Sequence, residues 1–115
     1  MLVIRELTAV FYAAGNNREP VREWLRHLPG EERRAIGAGI RYVQMKWPIG
    51  KPRVDHLRGE IWEVRTRLEN RIARVLFSVK GGRMLLLHGF IKQTQKTPAA
   101  EIALAETRYQ EWKNG

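Results

Sequence analysis

The residues best suited to chemistry are charged groups set inside apolar stretches. In Trp62-Glu63-Val64-Arg65-Thr66-Arg67 the alternation puts Glu63, Arg65 and Arg67 on one face of an extended segment and Trp62, Val64 and Thr66 on the other. Arg74 interrupts the apolar run from Ala73 to Phe77, and His88 follows Leu85-Leu86-Leu87. Charged or polar groups in apolar strands cost free energy unless they are paired or exposed. Two arrangements satisfy this condition. Either the side chains gather as a cationic cluster on an uncovered sheet face, or Arg74 pairs with Glu63 as a structural ion pair and His88 is a satisfied core or edge histidine. The first arrangement would suit phosphate, because guanidinium stays charged and grips two oxygens at once. Histidine, titrating near pH 6.5, could move a proton there. His56, in Asp55-His56-Leu57, is a second proton-transfer candidate, and His27 reads as a helix-surface residue.

The stretch from His88 to Pro98 leaves an apolar strand for Lys92, Gln93, Thr94, Gln95 and Lys96, then enters a helix at Thr97-Pro98. Amides, hydroxyls, lysines and a helix N-terminus in one place can hold phosphate without a metal. The same composition also suits a solvated loop that ends in a helix cap. The chain has no cysteine and no His/Asp/Glu cluster at ligand spacing, so no metal or other cofactor is expected.

The elements that must position these groups follow from periodicity. Leu7 to Ala14 reads as a strand before the turn Gly15-Asn16-Asn17. Pro20 opens a helix with Val21, Trp24, Leu25 and Leu28 on one face, ended by Pro29-Gly30. A second helix, from about Glu31 to Lys46, carries the stripe Ile36, Ile40, Val43 and Trp47. Gly37 and Gly39 weaken it, which implies close packing at that turn. After a basic loop, Ile61–Arg67, Arg71–Val79 and Arg83–Ile91 read as three strands joined by short Asn- and Gly-containing turns. A last helix begins at Thr97-Pro98, with Thr97 as its cap and Ile102, Ala105, Tyr109 and Trp112 on one face. The result is an α+β fold of order β-α-α-β-β-β-α, an antiparallel sheet packed by helices on one side.

At 115 residues the chain is read as a single domain, 1–115. Its net charge of +9 is uneven: residues 51–97 carry 11 Lys/Arg against 4 Asp/Glu, whereas residues 98–115 carry 2 against 3. Such a block marks a surface that meets phosphate, on nucleic acid or on anionic lipid. The basic residues lie on strands and loops rather than along one amphipathic helix, which disfavours a membrane. Residues 1–12 lack the features of a secretion signal, and no apolar run is long enough to span a bilayer. Together with the lack of cysteine, this points to a cytoplasmic protein.

The segments Glu19–Leu25, Ile61–Arg67, Arg74–Phe77 and above all Leu86-Leu87-His88-Gly89-Phe90-Ile91-Lys92-Gln93-Thr94-Gln95-Lys96-Thr97-Pro98 resemble the phage-derived HigB-like branch of the RelE/ParE toxin superfamily. The resemblance spans roughly residues 7–112. It implies a RelE-like fold and the toxin of a two-gene toxin–antitoxin system, a metal-independent endoribonuclease that cuts mRNA in the ribosomal A site. The implied partner is a cognate antitoxin protein, often a helix-turn-helix repressor. The matched positions are Arg65, Arg67, Arg74, His88, Lys92 and Lys96. No tyrosine lies between His88 and Pro98, where some members of the superfamily place one. Metal-free RNA cleavage needs a base for the ribose hydroxyl, charge stabilisation at the phosphate and an acid for the leaving oxygen. Arg65 and Arg74 are therefore expected at the scissile phosphate and His88 at proton transfer, with Arg67, Lys92, Lys96 and His56 as RNA-binding residues. Two other functions share these features: a ParE-like toxin that binds gyrase, and an RNA-binding module without catalysis.

Overall fold

The computed structural model describes residues 6–93 and 95–115. Thr94, in the amide-rich run, and residues 1–5, in the stretch read for targeting, lie outside the described residues. The chain forms β1 (Thr8–Phe11), α1 (Pro20–Arg26), α2 (Gly30–Lys46), β2 (Val54–Arg58), β3 (Ile61–Leu68), β4 (Arg71–Lys80), β5 (Arg83–Lys92) and α3 (Ala99–Asn114). This is the expected α+β class, with one strand more than expected. The sheet order is β1-β5-β4-β3-β2.

Local chemistry explains the central meander. The β3–β4 turn places Asn70 at φ 59°, and the β4–β5 turn places Gly81 and Gly82 at 58° and 74°. These are left-handed conformations that asparagine and glycine adopt at little cost. β2 occupies the stretch read as a loop. Val54, Asp55 and His56 pair with Val64, Glu63 and Trp62, then the register slips before Arg58. So short and irregular an edge strand leaves little alternation to read.

Two further details differ from the sequence reading. The sheet is mixed, because β1 runs parallel to β5 while the other neighbours are antiparallel. The helices also divide between its faces. Val21, Ile36, Ile40 and Val43 of α1 and α2 share a core with Val64, Val75, Phe77 and Leu86. On the other face, Ala105 and Tyr109 of α3 pack with Leu76, Leu85, Leu87 and Phe90. Successive strand residues point to opposite faces, so the uninterrupted buried run Met84–Leu87 requires cover on both sides.

On the α3 side, cross-strand register arranges the side chains of β3, β4 and β5 in three rows. Glu63, Leu76 and His88 form the innermost row, Arg65, Arg74 and Phe90 the middle one, and Arg67, Ile72 and Lys92 the outermost. The inner row carries two wholly buried residues, Glu63 and Leu76, whereas Arg67 and Lys92 in the outer row are exposed. The face therefore grades from core to open surface along the strands.

α1 reaches the opposite face at Gly89, where an added Cβ would sit 2.4 Å from two ring carbons of Trp24. A rigid indole cannot yield at that distance. Gly89→Ala is expected to lower stability by about 1–3 kcal/mol through overpacking. Gly37→Ala, on an open helical surface with nothing within 4 Å, should instead raise it by up to about 1 kcal/mol. Urea midpoints measure both, and equal shifts would contradict the packing described at Trp24.

Candidate functional site

The middle of the α3-side face is organised around Glu63, whose side chain is wholly buried. Its Oε1 accepts from Arg65 Nε at 2.6 Å, and its Oε2 accepts from the Thr97 hydroxyl. Arg74, also 0% exposed, brings Nη1 to 3.7 Å from the same Oε2. Arg74 Nη1 donates to Thr97 Oγ1 at 2.8 Å, and Nη2 donates to the Gln95 carbonyl at 2.9 Å. Arg65 Nη2 reaches that carbonyl at 3.3 Å and lies 3.8 Å from Asp55 Oδ2. One buried carboxylate and two guanidiniums thus clamp the segment after β5 onto the sheet.

Burial draws the Arg74 pKa down from its ordinary value; Glu63 opposes that shift and Arg65 reinforces it. Buried charges persist only where partners and hydrogen bonds replace water. The ion-pair arrangement is therefore the one Arg74 adopts, and its side chain is not on a surface that a phosphodiester can reach. Thr97 serves the cluster rather than the helix: the residue capping α3 is Pro98, with no side-chain cap hydrogen bond.

Arg65 differs from Arg74 because 29% of its side chain remains exposed. It borders an open hollow with Pro52, Arg53, Arg67, Ile72 and Gln95. A second hollow continues past the β3–β4 turn, sharing Arg67, Ile72 and Gln95 and adding Asn70, Arg71 and Gln93. Together they form a groove over the outer row, beyond the core packed under α3.

His88 stands apart from this groove. It lies two strands and one row from Arg65, roughly 10 Å across the sheet alone. Its Nε2 is 3.1 Å from Glu101 Oε1, and its ring stacks on Phe90 at 5.3 Å. Lys92 joins the same carboxylate at 3.8 Å. His56 projects with Trp62 on the opposite sheet face, 4.7 Å from that ring, and its Nε2 lies 2.6 Å from the Gly59 carbonyl oxygen. The structure brings Arg65 and Arg67 together at the groove, with Lys92 across Ile72 and exposed Lys96 one residue beyond Gln95. It does not bring Arg74, His88 or His56 onto that surface. Among the described residues, no group of three or more His, Cys, Asp or Glu side chains could hold a metal ion.

Residues 23–110 match the protein family described as phage-derived protein Gp49-like. Two relatives from Mycobacterium tuberculosis, strains CDC 1551/Oshkosh and ATCC 25618/H37Rv, each named "Probable endoribonuclease HigB1", are similar to this chain. Each is 32% identical over 104 residues, covering 90% of this chain and 82% of the relative. The chain belongs to the Gp49-like family, within the HigB-like branch of the RelE toxin superfamily.

Several residues that shape the site of this Gp49-like protein escaped the sequence reading. Glu101, the acidic residue in the first turn of α3, is brought to His88 only by the fold. Arg53 was hidden in a stretch read as loop, and its guanidinium lies 4.4 Å over the exposed Tyr42 ring. The Gln95 carbonyl, which both arginines use, leaves no signal in side-chain spacing.

Removing Arg74 takes one of two guanidiniums from the buried Glu63 and leaves Thr97 and the Gln95 carbonyl without its donors. Arg74→Met is expected to cost about 3 kcal/mol, whereas Arg67→Met on the exposed row should leave the urea midpoint unchanged. Equal midpoints for both variants would show that the cluster does not hold the fold. A second expectation concerns His88, which burial pushes below its ordinary pKa; Glu101 opposes that shift and Arg108 and Lys92 reinforce it. The unfolded chain then binds the proton first. Stability is retained above about pH 6.5 and declines as pH falls below it. His88→Gln should show a smaller loss of urea midpoint between about pH 7.5 and about pH 5.5; a loss as large as in the wild type would mean that His88 does not carry it.

Proposed function

We propose that this toxin is a metal-independent endoribonuclease that cuts mRNA at the ribosomal A site and so inhibits translation. The single observation that carries this reading is the open arginine groove, with Arg65 held at its inner edge by the buried Glu63. A guanidinium fixed before the substrate arrives stabilises charge developing on a phosphate without reorganising. Arg65 takes the scissile phosphate, Arg67, Lys92 and Lys96 take flanking phosphates, and Arg74 positions Arg65 and the Gln95 carbonyl from beneath. The name of the Mycobacterium tuberculosis relatives supports ribonuclease activity.

The groove supplies cations and amides, while His88 is engaged with Glu101 behind it. The protein acts as one cytoplasmic domain, without a cofactor. It is silenced by a cognate antitoxin protein of the helix-turn-helix kind. Among the described residues, no helix is long and apolar enough to cross a membrane.

The test is a translation extract given purified protein and a defined mRNA, with cuts mapped by primer extension. Wild-type protein is expected to cut within codons of ribosome-bound message. Arg65→Ala should lower the rate by about a hundredfold, the scale of losing one preorganised charge-stabilising contact; because it also takes a partner from the buried Glu63, the rate is read below its lowered urea midpoint, with circular dichroism confirming a native fold. Intact message alongside trapped gyrase–DNA complexes would replace this reading with a gyrase-binding toxin. Salt-dependent RNA binding without cutting would reduce it to a binding module.

A further inference from the structure

The two hollows of the groove differ in chemistry, although they share Arg67, Ile72 and Gln95. The inner one adds Arg53 and Arg65, so its side-chain donors are almost all cationic. The outer one adds the amides of Asn70 and Gln93, and its additional arginine, Arg71, is already paired with Glu32. The three arginines of the inner hollow outnumber the two carboxylates beside them, Glu63 and Asp55 at Arg65; such an excess of cations suits phosphate, whereas the edge of a nucleobase presents donors and acceptors side by side. Side-chain amides offer both in one planar group. Ile72, half-buried between Arg67 and Lys92, supplies an apolar floor for a base, and the Arg67 guanidinium a plane on which one can stack.

We infer that the outer hollow is a nucleobase subsite for single-stranded RNA, in which Asn70, Gln93 and Gln95 read the edge of the base adjoining the phosphate held by Arg65. This rests on the nuclease reading and extends it from backbone binding to sequence preference. The fold holds two of the three amides at fixed backbone positions. The Gln95 carbonyl is anchored by Arg74 at 2.9 Å and by Arg65 at 3.3 Å, while Gln95 itself is exposed. Asn70 occupies the left-handed position of the β3–β4 turn, φ 59°. The buried Glu63 cluster therefore sets the distance between the phosphate-binding arginine and the backbone of one reading amide. A base reader on a rigid backbone discriminates better than one on a free loop, because less ordering entropy opposes the correct contact.

Binding separates this inference from the question of cleavage. Short single-stranded uridine oligonucleotides are scanned with each other base, and with an abasic ribose, at every position, and their affinities are measured by fluorescence anisotropy at several salt concentrations. Wild-type protein is expected to show one position where base identity matters and where the abasic sugar weakens binding about tenfold. Gln93→Ala, Gln95→Ala and Asn70→Gly should flatten that preference while the salt slope persists; glycine is chosen at position 70 because it keeps the positive φ of the turn. Arg67→Ala should lower the salt slope. Absence of binding, base-independent binding by the wild type, or variants that retain the full preference would each overturn the subsite. A preserved base preference in a protein that cuts no message in the translation extract would instead retire the nuclease reading and leave the subsite standing.

Discussion

Everything open on this protein depends on a charge that is closed. Glu63 sits without solvent in the middle of β3, and such a carboxylate is tolerable only because Arg65, Arg74 and Thr97 surround it. Those partners come from three places in the chain: the same strand, the neighbouring strand and the segment entering α3. Satisfying one desolvated group therefore fixes the position of β3 relative to β4, and of the residue 95–97 segment relative to both. Apolar packing could hold the same elements together, but it would not specify where Arg65 points. The cluster exchanges some stability for that orientation.

The graded face follows from the same placement. α3 begins at Ala99, immediately after the clamped segment, so its apolar residues fall over Leu76, Leu87 and Phe90 and not over the outer row. The clamp at Gln95 and Thr97 holds the start of the helix back from Arg67 and Ile72, and along its length Ala105, Tyr109 and the Arg108 bond to the Leu87 carbonyl keep it in register. The clamp thus gives the sheet face two roles, core under the helix and groove beyond it. His88 falls on the covered side of that boundary, which accounts for its depressed pKa and for its carboxylate partner on α3.

Much of the fold was legible in the sequence because it rests on local rules. The α1 and α2 stripes, the Asn70 and Gly81-Gly82 turns, and the bounds of β3, β4 and β5 follow from periodicity and φ preference within a few residues. What escaped was non-local. The alternation of β3 correctly put Glu63, Arg65 and Arg67 on one face, but alternation cannot say whether a face is covered. The better guide was Met84–Leu87, whose four successive buried residues already require two covered faces. His56 reads as polar in a polar stretch, and only pairing with Trp62 sends it to the opposite face from Arg65. Thr97 before Pro98 satisfies a capping pattern, yet a buried carboxylate nearby is a stronger claimant for its hydroxyl than a solvent-exposed helix end.

Arg65 and Arg74 show the limit of residue type as evidence for function. They face each other across adjacent strands in the same row and share the Gln95 carbonyl and the Glu63 carboxylate. Sequence alone treats them as equivalent cations. Their positions in the sheet separate them: β4 is flanked on both sides by β3 and β5, whereas β3 has beyond it only the short edge strand β2. Arg74 is enclosed on all sides, so its charge is spent on the protein's own carboxylate and carbonyl. Arg65 retains a partly exposed guanidinium on the groove. A pair of like charges at this spacing repels, and the buried Glu63 between them offsets that repulsion. Extra negative charge arriving from solvent is then favourable at Arg65, the member of the pair that can meet it.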